Sequence, residues 1–265
     1  MFIEVEKIKY HIEVKGEGKP IICLHGFSEN LGTWEVIKLH EHQLILIDLI
    51  GHGKSDKPKL FKYYSLKVMI KHLNMIISKL GLKRYSMLGY SMGGRIALAY
   101  ALNYPKEIDN LILENASYGE VGFLNRLKRR RNDVNLSKMI QKNGIEWFNQ
   151  YWSDLGIFKS QRKLPRSIIN EINKRRLGNS TRALSNTLKC TGQGKFPCLK
   201  DQIVKLSMPT LYVSGQFDKK YDAVGKNFKK LNKNIKHVAI NGCGHNTHIE
   251  DAKAFMDVLN EFLKI

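Results

Sequence analysis

The sequence has few cysteines, no long apolar run, no repeat and few acidic residues for its size. Four cysteines occur in 265 residues, Cys23, Cys190, Cys198 and Cys243. Their wide spacing fits neither a zinc cluster nor a dense disulfide framework, so free thiols in a reducing cytoplasm are the expectation. The start, Met1-Phe2-Ile3-Glu4-Val5-Glu6-Lys7, is interrupted early by acids and leads into no apolar core segment. That argues against a secretory signal. Ile21-Ile22-Cys23-Leu24 is far too short to cross a bilayer, so no membrane insertion is expected. The acids are outnumbered, with 24 Asp+Glu against 44 Lys+Arg and a net charge of +20. An excess of that size first suggests nucleic acid.

What is present is otherwise ordinary. Hydrophobic residues make up 43% and charged residues 26%, which excludes a disordered or collagen-like chain. The length suits one large domain or two small ones with a sizeable core. The charge is uneven: residues 117–205 hold 19 Lys+Arg and 6 Asp+Glu, a net of +13, and the rest of the chain holds +7. A solvated basic surface and a surface that attracts an anion both fit this distribution.

Up to about residue 116, short apolar runs alternate with helical patterns. Ile21 to Leu24 reads as a buried strand ending in His25-Gly26-Phe27, and Leu44 to Leu49 as another, followed by Gly51-His52-Gly53. Leu66, Met69, Ile70, Leu73, Ile76, Ile77 and Leu80 fall at helical spacing. Tyr85 to Gly89 and Leu111 to Glu114 read as strands around a small-residue helix from Gly93 to Tyr104. This alternation predicts right-handed crossovers and a mainly parallel sheet. Residues 117–205 read as helical and polar. Strands return at Thr210 to Val213 and Lys236 to Ile240, with helices near 221–231 and 252–263. The expected organisation is an α/β core over 1–116 and 206–265, interrupted by a helical insertion over 117–205.

Gly89-Tyr90-Ser91-Met92-Gly93 fits G-x-S-x-G between a predicted strand and a predicted helix. In that context the turn lifts the Ser91 hydroxyl out of the sheet, and the Met92 N–H lies at a helix N-terminus, where negative charge is stabilised. A serine needs a histidine to activate it, and the histidine needs an acid. Asp218 follows the strand at 210–213 and His245 follows the strand at 236–240. Both sit where open α/β sheets place their sites, in the order Ser, acid, His. His248 and Asp222 are the rival residues, each less well placed. The Phe27 N–H, in the loop after an early strand, is the expected second donor to a substrate oxygen beside Met92.

These motifs, with Asp48-Leu49-Ile50-Gly51-His52-Gly53-Lys54-Ser55-Asp56 and Gly93-Gly94-Arg95, resemble the α/β-hydrolase superfamily. That family usually has proline where this chain has Ile50. The resemblance implies the α/β-hydrolase fold: a mainly parallel sheet with helices on both faces and an inserted helical lid. Tyr90 to Arg95, Gly144-Ile145-Glu146-Trp147-Phe148, Phe158-Lys159-Ser160-Gln161, Arg175-Arg176-Leu177 and Thr191-Gly192-Gln193-Gly194 narrow it. They are similar to the 2-succinyl-6-hydroxy-2,4-cyclohexadiene-1-carboxylate synthase family of menaquinone biosynthesis, over nearly the whole chain. The resemblance implies a triad of Ser91, Asp218 and His245. It places substrate-binding residues at Arg95, Arg129, Tyr90, Trp152 and Phe27, with Arg130 as the alternative to Arg129 after a one-residue slip.

The same resemblance implies a lyase. A base removes a ring proton activated by a succinyl ketone, and the enolate expels an enolpyruvyl ether as pyruvate. No metal or cofactor is needed for that step. Arg95 lies one helical turn after Ser91, and its guanidinium matches the two oxygens of a carboxylate. The implied partner is a small polycarboxylate, not nucleic acid, and the implied state a monomer or weak homo-oligomer. Two rivals stand against this reading: a serine-triad esterase, thioesterase or carbon–carbon bond hydrolase, and a non-enzymatic binder that uses the charge. Fold alone does not separate the first from the lyase.

Overall fold

The computed structural model describes residues 1–264. Eight strands form one sheet in the order β1-β2-β4-β3-β5-β6-β7-β8. They are β1 (Phe2–Val5), β2 (Ile8–Lys15), β3 (Lys19–Leu24), β4 (His42–Ile47), β5 (Tyr85–Tyr90), β6 (Ile108–Glu114), β7 (Thr210–Gly215) and β8 (Ile235–Ile240). From β4 to β8 every pairing is parallel, while β1 and β2 pair antiparallel at the edge. The edge hairpin is absent from the sequence reading, because Phe2 to Lys15 mixes exposed charge with apolar residues and offers no continuous apolar run.

The central strands are apolar throughout because both faces are covered. Successive side chains point to opposite faces. Ile22, Leu24, Ile45, Ile47, Met87 and Leu113 therefore enter one core with α1 (Leu66–Lys79) and α2 (Met92–Asn103). Ile21, Cys23, Leu44, Leu46, Leu88 and Ile112 enter another, closed by Phe255 and Leu259 of the last helix, Ala252–Leu263. The four cysteines form no disulfide.

Between β6 and β7 the chain forms helices and no strand. They are α3 (Phe123–Asp154), α4 (Arg166–Leu177) and α5 (Thr181–Thr191). Gly144, at φ +90° and ψ 179°, breaks α3 where no side chain would readily follow. Ile140, Phe148, Leu184 and Leu188 give these helices a small core of their own. After β7 come α6 (Lys219–Leu231), the short α7 (Thr247–Glu250) and α8 (Ala252–Leu263). Among the described residues no helix is long and apolar enough to cross a membrane.

Candidate active site

Ser91 is the residue between β5 and α2, held at φ +51° and ψ −104°. A non-glycine residue there is strained, and the surroundings must enforce it. They do so by allowing no bulk nearby: a Cβ on Gly93 would collide with the Leu24 carbonyl, and one on Gly89 would lie 2.6 Å from the Gly93 carbonyl. The Ser91 N–H donates to Glu114 of β6 at 2.8 Å, which fixes the turn to the sheet.

Three side chains from three strand ends form one hydrogen-bonded chain. Ser91 Oγ lies 3.1 Å from His245 Nε2, and His245 Nδ1 lies 2.5 Å from Asp218 Oδ2. With the proton on Nδ1, the ring donates to Asp218 and accepts from the Ser91 hydroxyl. Asp218 is the N-cap of α6, and its other oxygen accepts the Tyr221 N–H at 3.2 Å. Asn115 Nδ2 donates to the His245 carbonyl at 2.8 Å and ties that loop to the end of β6. The imidazole is boxed by the rings of Tyr90, Phe158 and Tyr221, with centroids 5.5, 5.6 and 4.7 Å away.

The rival residues are occupied elsewhere. His248 Nδ1 lies 2.6 Å from Glu114 and Nε2 2.8 Å from Thr33, with its ring stacked on Trp34. Asp222 pairs with Lys226 at 2.8 Å. His25 has a positioning role: Nδ1 donates to the Gly26 carbonyl at 2.8 Å, and Nε2 accepts the Leu49 N–H at 3.0 Å. That holds the Phe27 loop against the segment after β4. The Phe27 N–H finds no protein acceptor among the described residues, and Met92 opens α2, where the first N–H groups have no intrahelical partner.

A cavity of about 150 Å³ opens over Ser91. Its lining includes Ser91 and His245 with Phe27, Tyr90, Met92, Arg95, Arg129 and Trp152, while Asp218 stands behind His245 and does not line it. Of the basic run at 128–131, Arg129 is the one that lines it. Its Nε donates to Asp133 at 2.8 Å, and the other Asp133 oxygen accepts the Gly194 N–H at 2.9 Å. Burial opposes the Arg129 charge, but Asp133 outweighs it and pushes the guanidinium pKa up.

Arg95 has no such carboxylate among the described residues. It is 7% exposed, its guanidinium lies over Phe196 at 5.5 Å, and its one hydrogen bond is a long 3.5 Å contact to the Thr191 carbonyl. Nε has no partner. Burial, with Arg129 adding to it, depresses its affinity for the proton. A cation buried at a cavity in this way carries an uncompensated desolvation cost.

Known proteins are similar to this chain. A family model described as the α/β-hydrolase fold matches residues 19–252. A Bacillus subtilis (strain 168) protein provisionally named 2-succinyl-6-hydroxy-2,4-cyclohexadiene-1-carboxylate synthase is 31% identical over 97% of this chain and 95% of its own length. The synthase of Serratia proteamaculans is 26% identical over 92% of both chains. The structure of MenH from S. aureus superposes with a TM-score of 0.90 at 33% identity, covering 96% of this chain and 98% of that one. The chain belongs to the α/β-hydrolase family, in its MenH-like branch. An esterase of Exiguobacterium antarcticum shares only the fold, with a TM-score of 0.84 at 22% identity.

As in any α/β-hydrolase, most of the site comes from loops after strands, and motif reading finds those. It misses Lys220 and Tyr221, which also line the cavity. They carry no motif; they arrive because Asp218 caps α6 and turns its first residues inward. Burial raises the Tyr221 phenol and lowers Lys220, whose nearest acid is Glu120 at 4.0 Å.

Proposed function

We propose that this protein is a 2-succinyl-6-hydroxy-2,4-cyclohexadiene-1-carboxylate synthase that releases pyruvate from the enolpyruvyl precursor by elimination. The observation that carries the reading is Arg95, buried beside Ser91 with no carboxylate partner among the described residues. A site for neutral esters gains nothing from a buried, uncompensated guanidinium, whereas a polycarboxylate substrate supplies the missing charge. Arg129 stands at the same cavity and offers a second clamp.

Ser91 acts as the base. His245 Nε2 takes the hydroxyl proton as the serine oxygen removes the ring proton next to the succinyl ketone. The ketone oxygen gains the charge and meets the N–H groups of Phe27 and Met92. The enolate collapses back to the ketone, the ring double bond shifts toward the ether carbon and the ether C–O bond breaks, so the side chain leaves as the enolate of pyruvate and takes back the proton held on His245. Asp218 holds the imidazole in the tautomer that accepts from serine and stabilises its cation. Residues 117–205 serve as the lid, and Trp152 and Phe158 bring its apolar face down onto His245 and Phe27.

The test supplies the enolpyruvyl substrate to purified protein and follows pyruvate together with diene absorbance. Stoichiometric appearance of both is expected. Background pyruvate with rapid turnover of aryl esters would assign the site to hydrolysis instead.

A further inference from the structure

The first two turns of α3 pack on the segment around Gly194 by one face and leave the other face, with the residue just before them, bare. Val121 is 44% exposed, Phe123 79%, Leu124 77% and Leu127 36%. Single exposed apolar residues are normal, but four neighbours together mark a surface that meets something. Phe123 and Leu127 are four residues apart and Leu124 and Leu127 three, so they form one stripe on the helix. Arg126, Lys128, Arg130 and Arg131 rim that stripe, and no acidic residue lies between Glu120 and Asp133. Arg126 reaches back to the Gly194 and Lys195 carbonyls at 3.4 Å each. Lys128, Arg130 and Arg131 project into solvent. Arg129 alone of this run turns inward, to Asp133.

We propose that this stripe seats the protein on an anionic lipid surface. Phe123, Leu124 and Leu127 enter the headgroup layer while the surrounding cations face lipid phosphates. Large apolar side chains on one helix face, rimmed by Lys and Arg, are the pattern of helices that lie in the bilayer interface. Charge complementarity selects the occupant: residues 117–205 carry a net of +13 within a chain of +20. A second copy of the chain meets like charge at this face, and a neutral bilayer leaves the cations without partners.

The test mixes the full chain with vesicles of phosphatidylcholine alone, or of phosphatidylcholine with phosphatidylglycerol, and sediments them. Binding to the anionic vesicles only is expected. It should weaken as salt shortens the screening length from about 10 Å at 0.1 M to about 3 Å at 1 M. The triple variant Phe123→Ser, Leu124→Ser, Leu127→Ser should bind at least about tenfold more weakly, since it removes the apolar side chains that would enter the headgroup layer. Its melting temperature should stay at the wild-type value. Phe2→Ser, at an exposed aromatic on the edge strand, should bind like wild type. Phe123→Trp reports insertion directly, by a blue-shifted emission on anionic vesicles. Failure to sediment with either vesicle overturns the proposal and leaves the stripe to a protein partner. Undiminished binding of the triple variant, or an unshifted Phe123→Trp spectrum, reduces the effect to adsorption by charge and overturns insertion.

Discussion

Arg95 sets function against stability at a single position. Its charge is buried without a compensating carboxylate among the described residues, and its Nε has no partner. Replacing an uncompensated buried charge with an apolar side chain of similar volume relieves a desolvation cost. Arg95→Met should therefore keep or raise the melting temperature while lowering kcat/KM for pyruvate release by about 10²–10³, the loss of one or two charge-assisted hydrogen bonds. A lowered melting temperature with full activity would make Arg95 a structural residue. Ser91→Ala should lower kcat by about 10²–10⁴, the usual weight of a positioned acid–base group, with KM little changed. Wild-type kcat in Ser91→Ala would move the base elsewhere. At this scale the sequence is readable where geometry is local: Ser91, Asp218 and His245 each follow a strand, and order alone suggests their meeting. Tyr221 is unreadable, because its contact with His245 depends on how α6 begins and not on any spacing along the chain.

At the scale of elements, the parallel core is legible because strands buried on both faces must be continuously apolar. The β1–β2 hairpin is not, since Lys9, Glu13 and Lys15 interrupt the apolar pattern of β2. The break in α3 is equally silent, as an isolated glycine inside a helical pattern has several meanings. What holds α4 to the core is also invisible in the sequence. Arg175 Nε donates to Glu29 at 2.7 Å, and Asn179 Nδ2 donates to the Ser28 carbonyl at 2.8 Å, so α4 is bolted to the loop that carries Phe27. Arg175 and Glu29 side chains are 11% and 6% exposed. Burial alone would raise the Glu29 carboxyl, yet Arg175 and Arg176 pull it below the ordinary carboxylate range. Glu29→Gln strands the Arg175 charge and should cost about 3 kcal/mol in urea unfolding. Adding Arg175→Leu should recover most of that loss. Two penalties that simply add in the double variant would mean the pair is not coupled.

For the whole molecule, the net charge of +20 means that acidification adds repulsion to a surface already strongly positive. The core responds in the same direction through two histidines. The rings of His25 and His52 lie 5.1 Å apart, and both residues are fully buried. Burial lowers the His25 imidazole, and burial with the neighbouring His25 pushes His52 down to about 3. His52 Nδ1 donates to the Ile50 carbonyl at 3.1 Å, and among the described residues its Nε2 has no partner to share a second proton with. An unfolded histidine titrates near 6.5, so below that pH the unfolded chain binds protons that the folded chain refuses. The stabilisation is complete above about pH 6.5 and falls as pH drops, for His52 down toward about 3, by up to about 1.4 kcal/mol per pH unit for each histidine while the unfolded chain alone binds the proton. The melting temperature should accordingly decline between pH 7 and pH 5. His52→Asn keeps a donor for the Ile50 carbonyl and removes one titration, while leaving surface repulsion as it was. The slope of melting temperature against pH, not its value at one pH, is the readout, and it should be shallower in the variant. An equal slope in both proteins would assign the acid sensitivity to surface charge and leave His52 out of it.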